Sequence, residues 1–156
     1  MGLQENLRQE PVSRLALREA ITVSPETTLR EANAMMREKQ LGCVIIVDDQ
    51  QRPVGTYTEE ELIKVLAGDV SQLDEPVKDH ISPRWAAVSR QDPVAKVLEA
   101  MQSQDLRFVC VTDDERKATA LTGQKGLMEY VAEHFPNLVM SQRVGSKDYT
   151  PEREGA

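Results

Sequence analysis

Aromatic side chains are scarce in this 156-residue chain, at 4% of the total, and Trp85 is the only tryptophan. A core must therefore be assembled mainly from Val, Leu, Ile, Ala and Met. Cysteine and histidine are nearly missing, and Cys43, Cys110, His80 and His134 show no metal-ligand spacing. Both cysteines sit inside apolar runs, CVIIV and FVCV, which reads as two buried thiols. Positive charge is short as well. A net charge of −7 argues against a general nucleic-acid binder, because phosphate backbones are held by Lys and Arg; a local basic pocket for a small anion stays compatible with it. No run approaches the roughly 18 apolar residues of a membrane span. The opening MGLQENLRQE lacks a signal-peptide core, and Met1-Gly2 is not followed by the small hydroxyl of a myristoylation signal. The expectation is a soluble, cytoplasmic protein. What is present is an apolar share of 40%, which excludes wholesale disorder and suits one ordinary domain or two very small ones.

The chain repeats itself. Shifted by 65 positions without a gap, Glu10-Pro11-Val12 falls on Glu75-Pro76-Val77 and Val23-Ser24 on Val88-Ser89. Met36 meets Met101, Leu41 meets Leu106, Val44 meets Val109, and Asp48-Asp49 meets Asp113-Asp114. Leu62 and Ala67 meet Leu127 and Ala132. Such self-similarity marks a tandem duplication. It divides the chain into an extension (1–9), repeat one (10–68), a linker (69–74), repeat two (75–133) and a tail (134–156).

Each copy reads alike. A leading segment (11–19 or 76–84) runs into a brief strand, AITV or WAAV. In copy one Thr27 or Thr28 then offers a helix N-cap with Glu31 in the first turn, and Leu29, Ala32, Met35 and Met36 recur at helical spacing up to Gly42. In copy two Asp92 and Pro93 suit the N-cap and first helical positions, ahead of Val94, Val97, Leu98 and Met101. VIIV (44–47) and FVCV (108–111) have the β-branched, unbroken apolarity of a strand buried on both faces. Turns DDQQRP and DDERKA lead to the hairpin partners VGTY and TALT. ELIKVLA (61–67) and GLMEYVA (126–132) close each unit as amphipathic helices. The acids of both turns are read as turn formers, not metal ligands. Each unit is β-α-β-β-α, an α+β arrangement. About 60 residues with helices on one face leave the other sheet face bare, so the two copies should pack sheet to sheet, with pseudo-twofold symmetry and clefts between them.

This duplicated order, with TVSPETTLREANAMM before GCVIIVDD and GTYTEEEL closing the hairpin into the last helix, resembles a cystathionine-β-synthase (CBS) domain pair, the Bateman module. The resemblance covers about 10–133. It implies a regulatory or sensory module without catalysis or a catalytic cofactor, a homodimer, an unknown effector protein, and no nucleic acid or membrane partner. The implied ligand is an adenosine compound: AMP, ADP, ATP or S-adenosylmethionine.

The family's ribose motif is Gly, two apolar residues, Thr or Ser, two variable residues, then Asp. Gly55, Thr58 and Glu61 take those places in copy one, with Tyr57 between them. A carboxylate accepts from both ribose hydroxyls, a hydroxyl and free helix N–H groups donate to phosphate, and glycine lets the backbone approach. Glu61 reads equally as a first-turn helix acid, and Thr58 with Glu61 is itself a capping box. In copy two the same places hold Ala120, Gly123 and Gly126. No carboxylate remains there, yet Thr122, the glycines and Lys125 suit an anion at a helix start; the alternative is an empty half-site with Thr122 capping the helix. By the resemblance, adenine lies against Ala20, Ile21, Gly42 and Cys43 in copy one and Trp85, Ala86, Arg107 and Phe108 in copy two. Trp85 reads alternatively as core. Ser82 joins the candidate ligand residues, and Arg84, Arg107 and Lys125 are candidate phosphate partners. The expectation favours the copy-one lip. Beyond the repeats, NLVMSQRV suggests an edge strand or partner contact, and GSKDYTPEREGA a disordered end.

Overall fold

The computed structural model describes residues 2–136, so both readings of the tail lie outside the described residues. Five helices and two sheets form a mixed α+β structure. Helix α1 (Leu3–Gln9) and a 3-10 turn (Val12–Arg14) precede β1 (Arg18–Glu19) and β2 (Thr22–Val23). Then follow α2 (Leu29–Lys39), β3 (Cys43–Val47), β4 (Pro53–Thr58) and α3 (Glu59–Ala67). Two 3-10 turns (Val70–Asp74 and Val77–His80) lead to β5 (Ala87–Ser89), α4 (Val94–Gln104), β6 (Phe108–Thr112), β7 (Ala118–Gly123) and α5 (Gln124–His134).

The duplication is reproduced atom pair for atom pair. Thr22 pairs with Ile45 as Ala87 pairs with Cys110, and Cys43 with Thr58 as Phe108 with Gly123. Both hairpins break register at the same place, between Ile46 and Val47 and between Val111 and Thr112. The left-handed residues recur too: Gln40 and Asp105 end their helices at φ 52° and 54°, and Gln51 and Arg116 turn the hairpins at φ 65°. Asp48 and Asp113 each accept two backbone N–H bonds at 2.9 Å, so these acids shape the turns.

Three local readings need correction. Helix α2 stops at Gln40 and not at Gly42; Gln40 accepts the left-handed conformation and its N–H reaches back to Arg37 O. Thr28 caps α2 as the sequence suggests, donating its lone pair to Glu31 N at 3.2 Å. In copy two, however, Pro93 is itself the N-cap and Asp92 instead accepts from Ser89 N at 2.8 Å. Thr122 caps nothing. Helix α5 starts after Gly123 without a side-chain cap.

Strand β3 is buried along its whole length, as its composition demands. Val44 and Ile46 face α2 and α3, while Cys43, Ile45 and Val47 face the other repeat across Cys110 and Leu121. Strand β6 alternates in the same way, with Val109 and Val111 under the helices of copy two. Sheet against sheet is thus a consequence of two strands with no polar face.

The leading segments cross over. Val12 and Leu15 are buried in the core of copy two, and Val77 in that of copy one. Backbone bonds fasten each one: Val12 N to Asp92 O at 2.8 Å and Val94 N to Glu10 O at 2.9 Å, mirrored by Val77 N to Thr27 O at 2.7 Å and Leu29 N to Glu75 O at 3.1 Å. Each crossing segment thereby satisfies the first orphan N–H of the other copy's helix. The symmetry then breaks. Strand β1 joins β7, giving the order β1-β7-β6-β5, while the other sheet is only β2-β3-β4. The residue matching Arg18 is Pro83, which has no N–H for a ladder, and a single Ser82 N to Thr56 O bond at 2.8 Å remains.

Val12→Ala removes a fully buried side chain from the copy that it does not precede in sequence. Urea unfolding should show a loss of about 2 kcal/mol, in one transition that both repeats share. Two separated transitions would contradict this interlock.

Candidate functional site: two unequal clefts

Two clefts lie between the copies, related by the same 65-residue shift. Cleft one is walled by Gly42 and Cys43 at the start of β3, Thr58 to Glu61 at the β4–α3 junction, Ser82 to Arg84 of the crossing segment, and Arg107 and Phe108. Cleft two is walled by Ala16 to Arg18 of the other crossing segment, Leu41, Leu121 to Gly126 at the β7–α5 junction, and again Arg107 and Phe108. The arrangement brings together ten of the expected residues: Gly42, Cys43, Thr58, Glu61, Ser82, Arg84, Arg107, Phe108, Thr122 and Lys125.

Six others stand outside both walls. Ala20 and Ile21 pack into the cluster between the sheets, and Ala86 into the core of copy two. Tyr57 is fully buried and donates to Asn33 Oδ1 at 2.8 Å. Trp85 is half-buried and lines neither cleft. Gly55 makes room for a side chain and not for a ligand: a Cβ there would stand 2.7 Å from Ile81 Cγ2. These misplacements share a cause. Sequence reading kept each leading segment with its own copy, whereas the chain exchanges them.

The lip of copy one uses its chemistry internally. Glu61 is only 6% exposed. Its Oε1 accepts from Thr58 N at 3.1 Å, from Thr58 Oγ1 at 2.7 Å and from the Ser82 hydroxyl. Its Oε2 stands 4.0 Å from Lys64 Nζ. The capping box is real, and Ser82 extends it across the two copies. The cavity that remains is about 90 Å³, well below the roughly 300 Å³ at which small-molecule sites begin. Its charges are mixed, with Glu59, Glu60, Glu61 and Asp105 against Lys64, Arg84 and Arg107.

Cleft two differs in size and sign. Its volume is about 360 Å³, its walls include Leu17, Leu41, Phe108 and Leu121, and Arg18, Arg107 and Lys125 face a single carboxylate, Glu129. Arg18 is held in place by donating to Gln40 O at 3.3 Å and Lys39 O at 3.0 Å, the open carbonyls at the end of α2. Thr122 is 4% exposed and its Oγ1 has no hydrogen-bond partner. The crossing residues of this wall escaped sequence reading. The repeat held the signal, because Ser82 was a candidate and its mate at the 65-residue shift is Leu17.

Burial governs the thiols. It pushes Cys110 up to about 12 and Cys43 higher still, with Cys110 and Glu61 adding smaller upward effects on Cys43. Burial also raises Tyr57 to about 12, partly offset by its bond to Asn33. Among the described residues no cluster of His, Cys, Asp and Glu is placed to hold a metal ion, and no helix is long and apolar enough to cross a membrane.

The CBS domain family model matches residues 12–68. A CBS domain pair solved with 5′-methylthioadenosine and S-adenosyl-L-methionine superposes with a TM-score of 0.68 at 19% identity, covering 79% of this chain and 96% of the other. A CBS domain protein from Pyrobaculum aerophilum, complexed with AMP, gives 0.64 at 20% identity over 72% and 86% of the two chains. An uncharacterized 17.7 kDa protein of Acidianus ambivalens is 27% identical over 116 residues, 74% of this chain and 70% of that protein. Other curated relatives are longer, and the match spans 63% and 33% of two of them. The chain belongs to the CBS-domain family, and its fold is that of a CBS pair, the Bateman module.

Two outcomes follow. Ser82→Ala should cost about 1–2 kcal/mol and Glu61→Ala about 2–3 kcal/mol in chemical denaturation, since the latter strands several donors. The thiols should resist Ellman's reagent at pH 8 until denaturant is added. Because the folded chain holds these protons more tightly than free thiols near 9.0, stability is complete below pH 9 and declines as pH rises beyond it; Tm against pH reads this directly.

Proposed function

We propose that this protein is a cytoplasmic, non-catalytic sensor that binds an adenine nucleotide or adenosyl compound between its two CBS repeats and passes occupancy to an effector protein. The observation that carries the reading is cleft two, whose 360 Å³ is lined by apolar side chains for a purine and three cations for an anionic group. Solved CBS pairs of the same fold carry AMP, or 5′-methylthioadenosine and S-adenosyl-L-methionine, which supports this ligand class. The copy-one lip, preferred on sequence grounds, serves here as a structural latch: Glu61 already accepts two hydroxyls, the task it would perform for ribose.

A homodimer is part of the proposal. Ile63 on α3 and Met128 on α5 occupy matching positions of the two repeats and are 64% and 68% exposed, with Leu66 beside Ile63 at 54%. Burying such side chains against a second copy stabilises the pair by roughly 1.5–3 kcal/mol each.

A thermal-shift panel of AMP, ADP, ATP, S-adenosylmethionine and NADH tests the ligand. A true ligand at 100 times its Kd adds about 2.7 kcal/mol to stability. Arg107→Ala and Lys125→Ala should weaken binding about tenfold while Glu61→Ala leaves it near wild type; the reverse pattern moves the ligand to cleft one. Flat curves across the panel favour the other reading, a ligand-free interaction module, for which the self-satisfied lip of copy one speaks. Ile63→Glu with Met128→Glu should convert dimer to monomer in sedimentation velocity.

A further inference from the structure

Resting on that reading of cleft two, we propose that the cleft selects its ligand by phosphate number: the first turn of α5, with Thr122, Lys125 and Arg107, is a polyphosphate seat, so nucleoside di- and triphosphates are preferred over monophosphates and over adenosyl compounds without phosphate.

Four features converge on one turn. Helix α5 runs eleven residues from Gln124 and starts without any side-chain cap or first-turn acid, whereas α3 starts with a full capping box and three glutamates. Uncapped N–H groups at the positive end of a helix this long are donors awaiting an anion. Thr122 Oγ1 is the independent sign. It is buried in the cleft wall with no partner, which costs the protein free energy that a ligand acceptor would recover. It also points at this turn, because a Cβ on Gly126 would stand 2.8 Å from it.

Gly123 supplies the third feature. A Cβ there would lie 2.3 Å from the carbonyl oxygen of Arg107, so only glycine lets the start of α5 press against the Arg107 backbone. This contact sets a guanidinium beside the helix start, next to Lys125 on the helix itself. The fourth is the side chain that is missing. Where copy one has Glu61, copy two has Gly126, whose Cβ would also crowd Ala16 O at 3.3 Å. No carboxylate reads ribose there, and none repels phosphate. Recognition shifts from the sugar diol to the anion.

The charge of the ligand is therefore the discriminator. Each added phosphate gains contacts with N–H groups and cations, which should strengthen binding about three- to tenfold per phosphate. S-adenosylmethionine brings positive charge into a basic cleft and should bind more weakly than AMP.

Isothermal titration of the full chain with adenosine, AMP, ADP, ATP and S-adenosylmethionine, at two salt concentrations, reads the gradient. Inorganic tripolyphosphate should displace ATP competitively. Thr122→Val and Lys125→Gln should flatten the gradient while leaving adenosine affinity unchanged. Thr122→Val should also raise Tm of the free protein, since it removes an unpartnered hydroxyl. Equal affinity for adenosine and ATP, or tighter binding of S-adenosylmethionine, would overturn the phosphate seat and leave the adenine reading intact. Tripolyphosphate binding with no adenine compound bound would do the opposite.

Discussion

The structure depends on the crossing of two leading segments. Val12 and Val77 are each buried in the repeat that they do not introduce, and a backbone carbonyl beside each one closes the first turn of that repeat's helix. A unit of this size has too little interior to stand alone, and its sheet has one helix-covered face and one bare face. The exchange solves both problems together. The bare faces meet through Cys43, Ile45, Cys110 and Leu121, and the crossing segments then staple what the apolar contact has brought together.

The clefts follow from that crossing and are not cut into either repeat. Each wall takes residues from one copy's hairpin and helix start and from the other copy's leading segment. Near-perfect symmetry of the backbone makes the differences between the two clefts chemical. Glu61 against Gly126, Thr58 against Gly123 and Ser82 against Leu17 turn one cleft into a small, self-satisfied polar lock and the other into a larger basic cavity. Pro83 against Arg18 alters the sheets in the same spirit, since one missing N–H decides whether a fourth strand forms.

Much of the fold was legible because apolar periodicity and the 65-residue repeat are local, additive signals. Strand β3 showed its two buried faces in an unbroken CVIIV, and Thr28 announced α2. The helix ends were less legible, because Gln40 and Asp105 take a left-handed conformation usually given to glycine, and Gly42 nearby drew the boundary too far. The site was half legible. Motif spacing led to Thr58, Glu61, Arg107 and Lys125, but it could not show that Glu61 folds back onto Ser82, a residue 21 positions away in another repeat. Nor could it show that Trp85 turns from both clefts, since an apolar ring suits a pocket and a core equally well.

Because every cleft wall joins one repeat to the crossing arm of the other, a molecule seated there touches both halves of the clasp. Occupancy then acts as a splint. It resists the peeling of residues 10–19 or 75–84 from their adopted repeat, so the stiffness of the whole disc, and of any surface built on α3 and α5, becomes a readout of what the crevice holds.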